Sequence, residues 1–218
     1  MSRGIVEKIL EMPSAPKLLE ELNLILKAEK QRRLNFYNEI TDQEKAEFIN
    51  GEIIIHSPVN KSHSDVCKRI GRLIDVYVDK KEIGFVGIEK VMISLTRNDY
   101  EPDVCYFRKE KSKNFKKGQS KFPGPDFVIE VLSKGTEHRD RGIKFEDYQE
   151  HGVAEYWIIS PKEETVEQYL LEGGKYSLKL KSRSGEIESP VIHGFVIPIR
   201  AIFDKDANLK ELQRVLLG

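Results

Sequence analysis

The chain has 218 residues, enough for one large domain with its own core, and it balances 36 Lys and Arg against 36 Asp and Glu. Zero net charge gives no global basic excess of the kind that marks a dedicated nucleic-acid binder, although Arg108, Lys109, Lys111, Lys113, Lys116, Lys117 and Lys121 crowd one stretch. Cys67 and Cys105 stand far apart without CxxC spacing or a His-rich neighbourhood, which argues against a disulfide framework and a zinc site, and no apolar run approaches the roughly 18 residues of a membrane span.

The start MSRGIVEKILEMPSAPK lacks the apolar core and small-residue cleavage site of a secretory leader, so a cytoplasmic protein without a membrane partner is expected. Residues 5–12 make a short amphipathic stretch stopped by Pro13. Pro16 then opens a helix whose Leu18, Leu19, Leu22, Ile25 and Leu26 recur at three- and four-residue spacing, the pattern of a packing helix. Asn50-Gly51 between two apolar runs predicts a hairpin. A second helix follows from Asn60, with Ser62 or Ser64 as its N-cap and Val66, Ile70, Leu73, Ile74 and Tyr77 on one stripe. Phe85 to Leu95 reads as one strand, EPDVCYF as another, and residues 109–124 as a basic loop. DFVIEVLS is a nearly continuous apolar strand of the type covered on both faces, a helix runs from His138 to a C′ glycine at Gly152, and VAEYWIIS is a second apolar strand. This βαβ succession predicts a parallel pair, Gly173-Gly174 predicts a hairpin turn, and a short helix closes the chain. The expected organisation is a helical segment over 1–35 and an α/β domain with a mixed sheet over 36–218.

The chemistry concentrates on two Pro-Asp pairs, Pro102-Asp103 and Pro125-Asp126. Glu130 lies among Phe127, Val128, Ile129, Val131 and Leu132, where an ionised carboxylate is costly unless a cation or hydrogen bond compensates it. Asp103 begins the neighbouring strand, so adjacent pairing brings two carboxylates to one point, which suits Mg²⁺. Asp140, Lys144 and Tyr148 share a helix face at four-residue spacing, which offers Lys144 as the compensating cation; Lys134, on the strand parity of Glu130, is its rival. Asp126 reads as a cap on its strand, and Trp157 as a core residue.

PD at 102–103, PDFVIEVLS at 125–133, Asp140, Lys144, Tyr148 and GVAEYWIISP at 152–161, together with NGEIIIHSP and His63, resemble the Uma-type endonucleases, a former domain-of-unknown-function family of the PD-(D/E)xK superfamily. The resemblance covers roughly residues 36–200. It implies a restriction-endonuclease-like fold, a central mixed β-sheet flanked by helices, and an Mg²⁺- or Mn²⁺-dependent endonuclease acting on nucleic acid, with DNA as the expected substrate and a homodimer as the means of cutting two strands. Asp103 and Glu130 would be the metal ligands and Lys144 the catalytic lysine, because Leu132 stands where superfamily members carry lysine. Glu52, His63 and Tyr148 would be supporting residues, and the basic stretch from Arg108 to Lys121 would meet the backbone. The competing readings are a catalytically inactive nucleic-acid-binding module and a structural or assembly protein in which Glu130 and Lys144 form a buried pair.

Overall fold

The computed structural model describes residues 2–41 and 44–217. α1 (Ser2–Leu10) ends ahead of Pro13, and α2 (Ala15–Glu39) carries Pro16 in its first turn, where a missing N–H leaves no helical bond unmade. Asn50 and Gly51, at φ 50° and 87°, turn β1 (Ala46–Ile49) back on β2 (Glu52–Ile55), as the sequence predicts. α3 (Lys61–Lys81) is capped by Asn60 rather than by Ser62 or Ser64. The extended backbone of Asn60 lets its side chain reach the His63 N–H.

The predicted strand from Phe85 to Leu95 is two strands. Glu89 and Lys90, both at positive φ, break the extended run, so β3 (Gly84–Ile88) and β4 (Met92–Ser94) enter different sheets. β5 (Asp99–Tyr100), β6 (Val104–Arg108), α4 (Lys109–Ser112), β7 (Lys121–Phe122) and β8 (Phe127–Val131) follow. The helix expected from His138 to Gly152 is likewise divided, into α5 (Glu137–Asp140) and α6 (Ile143–Glu150), with Gly142 at φ −113° and ψ −107° between them. β9 (Glu155–Ser160), β10 (Thr165–Glu172), β11 (Lys175–Ser182), β12 (Glu186–Ser189), β13 (Phe195–Pro198), α7 (Arg200–Phe203) and α8 (Lys205–Leu217) complete the described chain.

A six-stranded mixed sheet in the order β11-β10-β9-β8-β6-β3 forms the centre. β8 and β9 pair in parallel, as a βαβ connection requires, and the other neighbours are antiparallel. On one face Phe127, Ile129 and Val131 of β8 join Ile70, Leu73 and Ile74 of α3 and residues of β13 and α7 in the larger core. The opposite face carries Val128, Tyr156 and Ile158, covered by Tyr148 of α6 and by Ile93 and Tyr100 of a five-stranded sheet, β2-β1-β5-β4-β7. All five residues of β8 are buried, which explains its unbroken apolar run and sets Glu130 on the second face.

α2 meets this body only by its C-terminal half. Phe36 is buried against Phe48, Arg33 grips Asp99 at 2.6 and 2.8 Å, and Glu29 pairs with Arg97 at 2.8 Å. Leu18, Leu19, Leu22, Ile25 and Leu26, predicted as a packing stripe, are all exposed, because the helix projects beyond the sheets before it reaches them. Among the described residues no helix is long and apolar enough to cross a membrane.

Candidate active site

The β6–β8 ladder builds the site. Val104 pairs with Ile129 and Cys105 with Val128, so the next step outward sets Asp103 against Glu130. The Val131 N–H donates to Asp103 Oδ2 at 2.8 Å and fixes that carboxylate at the strand end. The break at Gly142 then lets α6 restart at an angle that lowers Lys144 onto the sheet. Its Nζ lies 2.8 Å from Glu47 Oε1, 3.1 Å from Glu130 Oε1 and 3.4 Å from Asp140 Oδ1. Tyr148, one turn further along α6, is buried beside them, and its hydroxyl has no hydrogen-bond partner among the described residues.

Four carboxylates, Glu47, Asp103, Glu130 and Asp140, are thus at most 4% exposed, against one fully buried ammonium and Lys45, which reaches Asp103 Oδ1 at 3.0 Å from the cleft wall. Burial lowers the pKa of Lys144, but Glu130, Glu47 and Asp140 more than offset it and hold it well above the ordinary value. Burial pushes Glu47 up, yet Lys144 and His56, whose Nε2 is 3.0 Å from Oε2, more than offset it and hold Glu47 at about 2. Asp103 is likewise lowered despite its burial, by His63, Lys45 and the Val131 N–H. Glu130 goes the other way. Burial drives it well above the ordinary carboxylate value, Lys144 offsets only part, and Asp140, Asp103 and Glu47 raise it further. Asp140 is raised for the same reasons. The cluster's carboxylate donors are hard oxygens, a set that suits Mg²⁺ or Mn²⁺, and of the four Asp103, Glu130 and Asp140 line the cleft.

Of the residues singled out in the sequence, Asp103, Glu130, Lys144, Tyr148 and His63 come together. His63 Nε2 stands 3.3 Å from Asp103 Oδ2. Glu52 does not join them: it is exposed at the turn end of β2 and is no part of the cleft lining. The hairpin instead contributes Glu47, which sequence reasoning missed. The signal was there, since Glu47 lies among Ala46, Phe48 and Ile49 just as Glu130 lies among its apolar neighbours. Lys134 is exposed past the end of β8, and Leu132 packs in the second core.

The cleft over the cluster has a volume of about 1250 Å³, and Lys134, Arg139, Lys162 and Lys181 stand on its walls. The basic stretch from Arg108 to Lys121 is elsewhere. Phe115 and Phe122 pin it against Phe85 and Phe107, with ring centroids 5.0 to 6.1 Å apart, and no residue of it lines the cleft. Asp126 accepts the Arg108 N–H at 2.8 Å, and Trp157 is wholly buried.

Residues 29–200 match the family model Uma2, described as "Putative restriction endonuclease". The chain is similar to the uncharacterized protein slr1290 of Synechocystis sp., 32% identical over 133 residues that span 58% of the chain and 66% of that relative. It is also similar to the uncharacterized protein sll1609 of the same organism, 29% identical over 149 residues, 66% of the chain and 84% of the relative. Among solved structures, a "putative nuclease belonging to DUF820" from Anabaena variabilis superposes with a TM-score of 0.67 at 19% identity, over 77% of the chain and 94% of that structure.

Proposed function

The chain belongs to the Uma2 family and has the restriction-endonuclease-like fold, and from that premise we propose that it is a divalent-metal-dependent endonuclease that hydrolyses phosphodiester bonds in DNA. The observation that carries this reading is the group of buried carboxylates around Lys144, open to a cleft whose walls carry Lys134, Arg139 and Lys162 alongside Glu44, Glu137 and Glu163. A fold that needed only a satisfied core pair would match one ammonium with one carboxylate. Three carboxylates share the Lys144 ammonium, and Asp103 stands at the neighbouring strand position beside Glu130, an arrangement that a divalent cation between Asp103 and Glu130 would complete.

In this reading Asp103 and Glu130 hold the ion, which when bound polarises the phosphate and lowers the pKa of a coordinated water. Lys144 orients the attacking water or neutralises charge that develops on the phosphate oxygens. Glu47 from the hairpin and Asp140 from α5 hold the Lys144 ammonium charged and beside Glu130, as positioning carboxylates do around a ligand set. In the same reading Lys134, Arg139 and Lys162 of the cleft wall meet backbone phosphates, a contact without base specificity that weakens steeply with salt.

Incubation of the wild type with supercoiled plasmid and with labelled oligonucleotides, with and without Mg²⁺ or Mn²⁺, tests the proposal. Cleavage that requires the divalent ion and falls about 100-fold or more in Asp103→Asn is the expected result. Equal cleavage by the two proteins, or none by the wild type in either metal, refutes it.

A further inference from the structure

The cysteines lack both CxxC spacing and a His-rich neighbourhood, yet one histidine stands at ligand spacing from Cys67. His63 and Cys67 are one turn apart on α3, so they share a face, and that face meets Asp103. Cys67 Sγ lies 3.4 Å from His63 Nδ1, and His63 Nε2 lies 3.3 Å from Asp103 Oδ2. One donor atom from each of the three residues falls within 4.8 Å of the others, and all three residues are at most 4% exposed. We infer that His63, Cys67 and Asp103 form a site for a soft, zinc-class divalent cation, distinct from the all-oxygen set that suits Mg²⁺. A thiol, an imidazole and one carboxylate make a three-residue donor set of the kind zinc takes, with the cleft supplying a water as fourth ligand, since His63 and Asp103 both line it. Binding replaces the S–H bond of Cys67 by a metal–sulfur bond and releases one proton to solvent.

This inference rests on the proposed role of Asp103 in one respect. A zinc-class ion there engages the carboxylate that Mg²⁺ or Mn²⁺ needs, so the two classes of ion exclude one another. The full-length protein, stripped of metal with a chelator, is titrated with Co²⁺ as the spectroscopic stand-in for Zn²⁺. The expected result is a near-ultraviolet thiolate-to-cobalt charge-transfer band that Zn²⁺ bleaches, that disappears in Cys67→Ser, and whose formation blocks Mn²⁺ binding in calorimetry. Zn²⁺ is expected to raise the melting temperature of the wild type and to leave that of Cys67→Ser unmoved. Absence of the band, or unchanged Zn²⁺ affinity in Cys67→Ser, overturns the site and reduces the three residues to a hydrogen-bonded chain. The band is read without any substrate, so a protein that binds Co²⁺ through sulfur but cuts nothing would sink the nuclease reading and leave this one standing, and the reverse outcome would do the opposite.

A separate observation carries a second inference. Residues 2–28 precede the stretch matched by the family model, and eleven large apolar side chains between Ile5 and Leu26 are exposed there, among them Leu10, Leu19, Leu22, Leu24 and Ile25. We propose that this helical arm docks on a second copy of the same chain. Eleven side chains, each about half exposed, offer roughly 1,000 Å² of apolar surface, against about 800 Å² per partner in a stable interface. The segment carries four basic and four acidic residues, a self-complementary balance that suits its own copy and lacks the basic excess that draws a helix to anionic lipid. Sedimentation equilibrium of the full chain at micromolar concentration is expected to give a dimer, and Leu22→Glu with Ile25→Glu a monomer of unchanged circular dichroism. A monomeric wild type, a dimer that survives both substitutions, or flotation with phosphatidylserine vesicles overturns the proposal.

Discussion

Lys144→Met is expected to lower stability by about 3–5 kcal/mol, the range seen when one partner of a buried ion pair is removed. Methionine fills nearly the same volume, so little of the loss comes from a cavity. It comes from Glu47, Glu130 and Asp140, which would face each other with no ammonium among them. Wild-type Glu47, lowered to about 2, stabilises the fold above the ordinary carboxylate pKa and loses that contribution only as pH falls toward 2. Without Lys144 the same carboxyl is driven upward by burial, so the folded variant binds protons that its unfolded chain has released. The deficit of Lys144→Met relative to wild type should therefore be largest at neutral pH and shrink on acidification toward pH 5. Urea denaturation at pH 7.5 and at pH 5 reads both effects, and a midpoint at pH 7.5 indistinguishable from wild type would show that Lys144 is not what offsets the carboxylates. Adding Glu130→Gln to Lys144→Met should restore part of the loss, because the two groups are in contact and their effects are not additive.

That Asp103, Glu130 and Lys144 come together was legible in the sequence, with Glu130 as the anchor. Glu130 breaks a local rule, a carboxylate in a strand buried on both faces, whereas a Pro-Asp pair at a strand entrance and a lysine four residues after an aspartate are ordinary turn and helix patterns that stood out only beside it. Glu47 breaks the same rule, yet the hairpin offers Glu52 as well. The register pairs Glu47 with Ile54 and Ile49 with Glu52, so both acids lie on one face, and parity does not choose between them. Burial chooses, because β1 is covered by β5 while β2 is an edge, and that is a tertiary fact. The division of the strand at Glu89-Lys90 had no residue signature, since neither side chain advertises a left-handed backbone. Gly142 was visible, but a lone glycine inside a helical pattern is as often tolerated as it is a break. The leucine spacing of α2 gave a helix and was silent about what would cover it. Cys67 was judged by CxxC spacing and by the lack of a His-rich neighbourhood, a test that passes over the single His63 one turn before it.

Glu130→Gln is expected to separate function from stability: under the proposed mechanism cleavage falls about 100-fold or more, while the melting temperature rises. The amide keeps the shape of the carboxyl and removes the carboxylate that Asp140, Asp103 and Glu47 crowd and whose burial Lys144 offsets only in part. Lys144 retains Glu47 and Asp140, so its charge is not orphaned. The sign of the pH dependence follows from Glu130 being raised in the folded chain. The unfolded chain ionises this carboxyl first, near pH 4.3 for an ordinary Glu, so wild-type stability declines from about that pH until the raised folded value is passed. The glutamine variant has no such decline. Its advantage in melting temperature should be small at pH 5, widen towards pH 8, and shrink again when Mg²⁺ or Mn²⁺ is added, because the ion stabilises only the protein that keeps the carboxylate. A variant that melts below wild type at pH 8 without metal would mean that Glu130 is held there by Lys144 as a net stabilising pair. The site would then be a structural one, and the case for a cation between Asp103 and Glu130 would fall with it.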